Sequence, residues 1–450
     1  MMNDVSPANL PPDFPARLPG WLAYLESLHP KGQAGIELGL ARVRRVSDAL
    51  GQRPFCPVLT VAGTNGKGST AAYLESILTR AGVRVGCYAS PHLLDYNERV
   101  RLGGKPVADD ALCAAFARVE AARRAAGHVF LTYFEFGTLA AWEVFAAAGC
   151  EALVLEVGLG GRLDAVNLYD ADVALVTTVD LDHQDWLGTD RESIGFEKAG
   201  IFRAGCPALY GDAEPPQSLL DHAAALHVPL RVMGRDFGVQ KDEENRLQWR
   251  YWGKRAEGGV LRRNLAYPGL RGATQLKNAA LAIAALDAVS ERLPVAMQAI
   301  REGLIHTELP GRFQVLPGRP ALVLDVGHNP QAVRVLAENL ATMGFFEKTY
   351  AVLGMLSDKD VAGSIAALRG KIAHWFLADL AGPRGLTAAV LAGRVQEADP
   401  GAAWTCCPNP AAALAMAKEH ARESDRILVF GSFHTVADAL RALGRGTRQA

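Results

Sequence analysis

Residues 57–74 read PVLTVAGTNGKGSTAAYL, and this stretch decides the fold class. Its first six residues form a short apolar run of the kind that fills a buried strand, and Gly63 ends that run. From Ser69 onward the apolar residues recur at helical spacing, beginning with Tyr73 and Leu74. A buried strand, a glycine-rich turn and a helix in this order predict a parallel sheet covered by helices.

The turn itself, residues 63–70, carries the strongest chemical signal in the chain. Glycines allow backbone N–H groups to point at phosphate oxygens, and the following helix contributes the positive end of its dipole. Lys67 is placed to reach the outer phosphates, and a hydroxyl at Ser69 or Thr70 is placed to help hold phosphate or Mg²⁺. The turn departs from G-x-x-x-x-G-K-[ST], because position 61 is Val and Gly68 separates Lys67 from Ser69. The alternative is an ordinary glycine-rich turn.

The same alternation continues along the chain. Short apolar runs predict strands at 83–88, 152–157, 173–179, 321–326, 350–353, 374–377 and 427–430. Helical spacing is found at 21–50, 111–126, 136–148, 275–286, 331–340, 361–368 and 410–420. The proline-rich residues 1–20 predict a loose arm, and the polar and aromatic residues 236–265 predict a small antiparallel excursion. We expect an α/β protein: a P-loop ATPase domain with a parallel-sheet core at 1–309, and a smaller, Rossmann-like α/β domain at 310–450.

Composition narrows the classes of protein. The chain has 450 residues, 49% hydrophobic and 21% charged, with a net charge of -1. This is typical of a globular enzyme and lacks the basic excess of nucleic-acid-binding proteins. No apolar stretch reaches the roughly 20 residues of a membrane helix, and the N-terminus has no secretory pattern. Seven cysteines without a CxxC pair favour reduced thiols over a zinc site. We expect a cytoplasmic monomer with no nucleic-acid or membrane partner.

Two further clusters follow predicted strands. Glu156 ends one strand, where open α/β sheets bind ligands, and a buried carboxylate there needs a counter-charge. Mg²⁺ would supply it, and Arg162 is the alternative partner. The next strand leads into acidic residues around His183, which by itself would be read as a surface or capping residue.

In this order the clusters resemble the Mur ligase superfamily of ATP-dependent amide-forming enzymes, and within it the folylpolyglutamate synthases. The resemblance extends from Trp21 to about Asp438. Besides the P-loop, it is carried by SPHL at 90–93, NERV at 97–100, TYFE at 132–135, EVGLGGRLDA at 156–165, DH at 182–183, EKAGI at 197–201, PGRF at 310–313, DVGHNP at 325–330 and GSFHTV at 431–436.

The resemblance implies a role for each group of residues. Those implied to hold ATP are Thr64, Asn65, Gly66, Lys67, Gly68, Ser69, Asn278, Arg312 and Asp325. Those implied to ligate Mg²⁺, of which two ions are expected, are Ser90, Glu156 and His183. Those implied to contact dihydropteroate are Thr132, Tyr133, Phe134, Glu135, Leu163, Asp164 and Ala165, and those linked to the incoming glutamate are His328 and Ser432. Lys198, which the residues alone would place on a helix surface, matches a lysine that the family carbamylates, and it joins Lys67 and His183 as a catalytic group.

The activity that this resemblance implies is the ATP-dependent addition of L-glutamate to dihydropteroate and to reduced folates. ATP converts a carboxylate into an acyl phosphate, which the amine of glutamate attacks; Mg²⁺ and Lys67 offset the charge on the transferring group.

Three alternative functions remain open. Another amino-acid ligase of the superfamily would be expected to lack TYFE at 132–135. A nucleotide-dependent switch would leave the second domain unexplained, and an oxidoreductase would need a G-x-G-x-x-G turn that the chain does not have.

Overall fold

The computed structural model describes residues 14–445 except 31, 33, 34, 242–247 and 255–259. The chain divides into two compact units. The first comprises the described residues up to Leu181, with Leu187–Tyr267 and Lys277–Thr307. The second comprises Asp182–Trp186, Pro268–Leu276 and the described residues from Glu308 onward. Two short segments that precede residue 308 therefore belong to the C-terminal unit.

The first unit is built on a large, mainly parallel sheet. Its strands are β1 Val58–Ala62, β2 Val85–Tyr88, β3 Val100–Leu102, β4 Lys105–Pro106, β5 Ala152–Glu156, β6 Val173–Val176, β7 Ala208–Tyr210 and β8 Leu230–Val232. Their order is β4-β3-β2-β5-β1-β6-β7-β8, with only the β2–β3 and β3–β4 pairs antiparallel. Because β1 lies between β5 and β6, the carboxyl ends of these three strands meet at one edge, where open α/β sheets bind ligands.

Helices alternate with these strands. They are α1 Leu18–Ser27, α2 Ala41–Leu50, α3 Lys67–Arg80, α4 Asp109–Ala125, α5 Tyr133–Ala147, α6 Gln184–Leu187, α7 Arg191–Ala199, α8 Gln217–Ala225, α9 Ala273–Ala288 and α10 Met297–Ile305, with 3-10 helices at Tyr96–Arg99 and Ala165–Leu168. Among the described residues, no helix combines the length and the apolar character needed to cross a membrane.

A small antiparallel sheet interrupts the alternation, as the sequence predicts. Its strands are β9 Phe237–Lys241, β10 Gln248–Lys254 and β11 Val260–Ala266, with β10 in the middle. Trp249 and Tyr251 project from β10 and are buried, which gives this sheet its own apolar face. The charged residues 242–245 lie outside the described part of the chain.

The second unit is a smaller α/β structure, which confirms the predicted fold class. Its strands are β12 Gln314–Leu316, β13 Ala321–Asp325, β14 Thr349–Leu353, β15 His374–Ala378, β16 Trp404–Cys407 and β17 Arg426–Phe430, in the order β12-β13-β17-β14-β15-β16. Only β12 runs antiparallel to its neighbour. The helices are α11 Pro330–Ala341, α12 Val361–Ala366, α13 Ala388–Ala398, α14 Pro410–His420 and α15 Phe433–Ala442.

Three local predictions are wrong in their extent. The helical spacing at 21–50 belongs to two helices, α1 and α2, because the intervening residues contain Pro30 and several glycines that break a helix. The predicted arm at 1–20 ends early, since α1 begins at Leu18; residues 1–13 lie outside the described part. The strand predicted at 173–179 ends at Val176, because the side chains that follow bond to the glycine-rich loop.

Candidate active site

The glycine-rich loop after β1 has a backbone that only glycine adopts easily. Gly63 has a φ of 144° and Gly66 a φ of 92°. A Cβ at Gly63 would lie 1.8 Å from Thr177 Oγ1, and one at Gly66 would lie 2.7 Å from Asn278 Oδ1. Both glycines are therefore required by conformation and by close approach, and the cradle that they leave is the kind that admits a phosphate.

The segment that follows β6 holds this loop in place. Thr64 N donates to Thr178 O at 2.8 Å, and Thr177 Oγ1 donates to Asn65 O at 2.6 Å. Thr64 Oγ1 also donates to Asp180 O at 3.0 Å. The loop and the end of β6 thus form one hydrogen-bonded structure, which brings two of the three predicted clusters together.

The polar side chains of the loop lie at the start of α3, which also contains Gly68. Lys67 Nζ donates to the carbonyl oxygens of Gly63 at 2.9 Å and Thr64 at 3.3 Å, so its ammonium lies over the loop. Ser69 and Thr70 are 2% and 0% exposed. Thr70 Oγ1 has no hydrogen-bond partner within the described part of the chain. A buried hydroxyl group without a hydrogen-bond partner, lying beside the cradle, is suited to contact a bound phosphate or an oxygen ligand of a bound metal ion.

Glu156, at the end of β5, is 4% exposed. Its Oε2 accepts a hydrogen bond of 3.3 Å from Ser90 N, which brings two of the predicted metal ligands together. Arg162, the alternative partner of Glu156, instead forms an ion pair of 2.7 Å with Glu197. Within the described residues no three His, Cys, Asp or Glu side chains form a ready metal cluster. Mg²⁺ usually takes one or two carboxylates together with water and substrate phosphates, so this oxygen donor set fits that ion.

Lys198 is buried, so its interpretation as a helix-surface lysine is wrong. It lies in the last turn of α7 and is only 3% exposed. The backbone of this turn packs against the glycines after β5, where a Cβ at Gly161 would lie 2.8 Å from Glu197 O and 3.1 Å from Lys198 O. The expectation that this lysine lies on a helix is correct, but the residues alone do not show what covers it.

The TYFE segment at 132–135 begins α5. Thr132 Oγ1 accepts from Glu135 N at 3.2 Å, and Glu135 Oε2 accepts from Thr132 N at 2.8 Å, which forms a capping box. Arg42 Nε lies 2.9 Å from Glu135 Oε1. Thr132 and Glu135, both predicted to contact the substrate, therefore also stabilise the start of α5.

Asp164 is a second buried cap. It is 3% exposed and accepts from Leu159 N at 2.8 Å and Val166 N at 2.9 Å. Burial raises the pKa of this carboxyl to about 7, against the opposing effects of the backbone N–H groups and of the Lys67 charge. The neighbouring predicted residues differ in burial: Ala165 is 4% exposed, whereas Leu163 is half-buried and its carbonyl accepts from Gly39 N at 3.0 Å.

Aromatic side chains surround these caps. Phe134 is half-buried, with its ring 5.8 Å from that of Tyr88 and next to Gly158, where a Cβ would lie 2.7 Å from the Phe134 ring. The Arg99 guanidinium lies 5.6 Å from the ring centre of Tyr133. Burial raises the pKa of Tyr133 to about 12, and its hydroxyl has no hydrogen-bond partner among the residues that the structure describes. Sequence analysis missed Tyr88 and Arg99, which lie far from TYFE along the chain.

In the second unit, Asp325 ends β13 and accepts from Phe313 N at 2.8 Å and Gly327 N at 2.7 Å. Burial raises its pKa, while these backbone bonds and the Arg312 charge act in the opposite direction. The Arg312 guanidinium lies 5.0 Å from the ring centre of Phe433. Ser432, after β17, caps α15 by accepting from Thr435 N at 3.0 Å.

The most concentrated group of charges in the second unit surrounds Asp182. Lys359 Nζ lies 2.8 Å from Asp182 Oδ1 and 3.3 Å from His183 Nε2, and His328 Nε2 lies 3.8 Å from Asp182 Oδ2. Burial alone would raise the pKa of Asp182, but Lys359 and the two histidines hold it well below its usual range. Burial and the Lys359 charge lower the pKa of His328 to about 4. Sequence analysis missed Lys359, which has no motif of its own near it.

Comparisons with known proteins identify the family of the chain. The family described as Mur ligase, glutamate ligase domain, matches residues 311–433. A dihydrofolate synthase/folylpolyglutamate synthase of Escherichia coli is 44% identical over 433 residues, 96% of this chain and 97% of that protein.

Solved structures give the same result. E. coli FolC in complex with DHPP and ADP has a TM-score of 0.87 at 44% identity, covering 95% of this chain and 98% of that one. A bifunctional folylpolyglutamate synthase/dihydrofolate synthase with Mn, AMPPNP and L-glutamate bound has a TM-score of 0.84 at 44% identity, with the same coverage. The chain therefore belongs to the dihydrofolate synthase/folylpolyglutamate synthase family of Mur ligases.

Proposed function

We propose that this chain adds L-glutamate to dihydropteroate, forming dihydrofolate, and to reduced folates, forming folylpolyglutamates, with ATP driving both reactions through an acyl phosphate. The observation that carries this proposal is the glycine-rich loop of β1, with Lys67 over it, in a chain that aligns almost end to end with dihydrofolate synthase/folylpolyglutamate synthases. Both reactions form an amide between a carboxyl group and the amine of glutamate, so one ATP site serves both.

The nucleotide is proposed to bind through the loop and through residues outside it. Backbone N–H groups of residues 64–69 would receive the phosphates, and Lys67 would leave the loop carbonyls to follow the charge that moves with the γ-phosphoryl group. Asn278 touches the cradle at Gly66, which supports its assignment to ATP. Arg312 and Asp325 are assigned to ATP from the second unit, and we retain 1–309 and 310–450 as the proposed domains.

A divalent metal, which we propose to be Mg²⁺ in two sites, would take protein ligands from Ser90, Glu156 and His183. When bound, it supplies positive charge that offsets the charge of the transferring phosphoryl group. Glu156 is suited to this role because its buried carboxylate lies beside Ser90. Lys198 is proposed to act as a carbamate, since carbamylation would convert a buried cation into an anion able to attract the second metal.

The pterin substrate is proposed to bind at the aromatic side chains around α5. Phe134 is half-buried, which leaves a ring face for a flat heterocycle, and Tyr133 has a buried hydroxyl to offer. Asp164, with a pKa near 7, is able to accept or donate a proton in a hydrogen bond to the ring. Thr132, Glu135, Leu163 and Ala165 complete this set, the first two by fixing the start of α5.

Glutamate is assigned to His328 and Ser432. His328 Nδ1 donates to Val326 O at 2.9 Å, so the neutral ring keeps Nε2 as an acceptor, which suits an attacking ammonium that must lose a proton. We propose that the protein works as a cytoplasmic monomer on these small molecules, without nucleic-acid or membrane partners; light scattering after size-exclusion chromatography tests the oligomeric state.

The deciding experiment follows phosphate release and the incorporation of labelled glutamate, with ATP and Mg²⁺ present. Separate reactions contain dihydropteroate, tetrahydrofolate or a UDP-muramoyl peptide, each with and without glutamate. We expect glutamate-dependent phosphate release with the first two only. Incorporation with one pterin alone would reject bifunctionality, and turnover of the muramoyl peptide would move the chain to another branch of the Mur ligases. Glu156→Gln should raise the Mg²⁺ concentration needed for half-maximal rate, because the amide lacks the charge that the ion requires.

A further inference from the structure

Lys359 is a buried lysine to which neither the sequence motifs nor the proposed function assigns a role. It follows β14, and its side chain is only 5% exposed. Burial of an ammonium group is unfavourable unless it is paired and hydrogen-bonded. Its shortest ion pair is with Asp182, at 2.8 Å, whereas Asp358 lies at 3.8 Å and is itself paired with Arg384 at 2.9 Å. The environment of Lys359 is thus organised around Asp182.

The Asp182 carboxylate receives donors on both oxygens. Oδ1 accepts from Lys359 Nζ and from the backbone N–H of His183 at 2.9 Å. Oδ2 accepts from Asn329 Nδ2 at 3.4 Å and lies 3.8 Å from His328 Nε2. One oxygen atom therefore links the Lys359 ammonium to the backbone of His183, and Lys359 Nζ also lies 3.3 Å from the imidazole Nε2 of the same residue.

His183 needs such support, because its backbone is in an unfavourable region. Its φ is 51°, in the left-handed region that residues with a Cβ rarely adopt. It lies in Asp182–Trp186, a segment of the second unit whose neighbours along the chain, Leu181 and Leu187, belong to the first unit. Asp182 contacts Lys359, Asn329 and His328, all of which belong to the second unit.

We infer that Lys359 is a positioning residue that holds His183 in two ways: through Asp182 it fixes the backbone, and through its own contact with Nε2 it fixes the orientation of the imidazole. This inference rests on the proposed function in taking His183 as a metal ligand. Outer partners that orient a ligand typically contribute about 10- to 100-fold to metal affinity. Asn329 donates to the second oxygen of the same carboxylate, at 3.4 Å.

The test measures metal binding without turnover. Mn²⁺ affinity is determined by electron paramagnetic resonance in the presence of AMPPNP for wild type, His183→Ala, Lys359→Met, Lys359→Arg, Asp182→Asn and the Lys359→Met/Asp182→Asn double variant. We expect Lys359→Met and Asp182→Asn each to weaken Mn²⁺ binding by about 10- to 100-fold. In the Asp182→Asn background, adding Lys359→Met should weaken the affinity by a smaller factor than it does in the wild-type background, because the link to the backbone is already lost and only the contact with the imidazole remains. Lys359→Arg, which keeps the charge, should recover most of the loss.

Lys277→Met is the matched control, since Lys277 forms an ion pair of 3.1 Å with Asp212 and its side chain is 51% exposed. It should bind Mn²⁺ as wild type does. If Lys359→Met weakens binding equally in both backgrounds, or leaves it unchanged while His183→Ala weakens it, the inference is wrong and the proposed function stands. If His183→Ala binds Mn²⁺ like wild type, the metal role of His183 fails and the inference fails with it. Should Lys359→Met not fold, Asp182→Asn still decides, because wild-type affinity in that variant while His183→Ala binds weakly would show that the carboxylate shared with Lys359 does not position His183.

Discussion

Replacing Gly66 by alanine should weaken ATP binding, whereas replacing Gly82 should not, although both glycines have similar positive φ angles. Gly66 precedes the first residue of α3 and Gly82 follows its last turn, with φ values of 92° and 81°. Alanine in the left-handed region costs about 1–2 kcal/mol at either position. Both variants should therefore unfold at a lower temperature, by roughly 1–2 °C for each kcal/mol lost.

The two positions differ in what an added methyl group meets. At Gly82 nothing lies within 4 Å, whereas at Gly66 the Cβ would lie 2.7 Å from Asn278 Oδ1. Asn278 is 8% exposed and has little room to retreat, so either its side chain or the loop must move. Forcing an extra methyl group into a packed position costs about 1–3 kcal/mol, and a loss of that size in binding corresponds to roughly 5- to 150-fold in Kd.

Isothermal titration with AMPPNP, together with thermal unfolding, separates the two effects. We expect Gly82→Ala to lose stability with an unchanged nucleotide Kd, and Gly66→Ala to lose both. Asn278→Ala tests the contact from the other side and should also weaken the nucleotide. Equal Kd values for the two glycine variants would show that the cradle at Gly66 does not hold ATP.

Three further predictions concern charged side chains. Lys67→Ala should reduce kcat by about 10²–10³-fold through the loss of one electrostatic donor, while the kcat of the control Lys277→Ala should stay near that of the wild type. Normal turnover of Lys67→Ala would show that the lysine has no part in the mechanism. Lys198→Ala should be nearly inactive, and small carboxylic acids should partly restore the rate by standing in for the carbamate; full activity without them would refute the modification. Asp164 should make the free energy of unfolding depend on pH, because its folded pKa is raised from 3.8 to about 7. Its stabilising contribution is complete below about pH 4 and is lost as the pH rises towards 7. In urea unfolding, the free energy of Asp164→Asn should therefore decline less over that range than that of the wild type, and parallel curves would contradict the raised pKa.

The parts of the fold that the sequence predicts are those in which local pattern and tertiary packing agree. All residues of β1 are buried, so the strand appears in the sequence as a short, mainly apolar run, and the glycine that follows marks its end. The α14 helix, Pro410–His420, was bounded correctly because Asn409 accepts from Ala412 N and Pro410 occupies the first turn, both of which are visible in the sequence. By contrast, β16 has mixed exposure and no apolar run, and it is set by pairing with β15, so its existence was missed.

The residues of the candidate site also differ in whether a local sequence pattern predicts them. Glycines, Lys67 and Glu156 are tied to strand ends, and parallel strands bring their ends to one edge, so sequence order suffices to group them. Lys198 and Lys359 depend on what covers them in three dimensions. An isolated lysine on a helix or a loop is normally solvated, and no spacing distinguishes the exceptional one that is 3% exposed, as Lys198 is.

In the TYFE segment, a structural role and the proposed substrate role fall on the same residues. Thr132 and Glu135 form a capping box, which by itself accounts for both side chains without any substrate. The box also fixes the backbone of the first turn of α5, and this backbone carries the two aromatic residues that lie between Thr132 and Glu135. Tyr133 is thereby directed into the protein, where it is 4% exposed, and the half-buried Phe134 ring is held against Gly158. In the proposed pterin site, a substitution at Thr132 would therefore act through the orientation of Phe134, so its effect on substrate binding should follow the loss of the cap and not the loss of a hydroxyl contact.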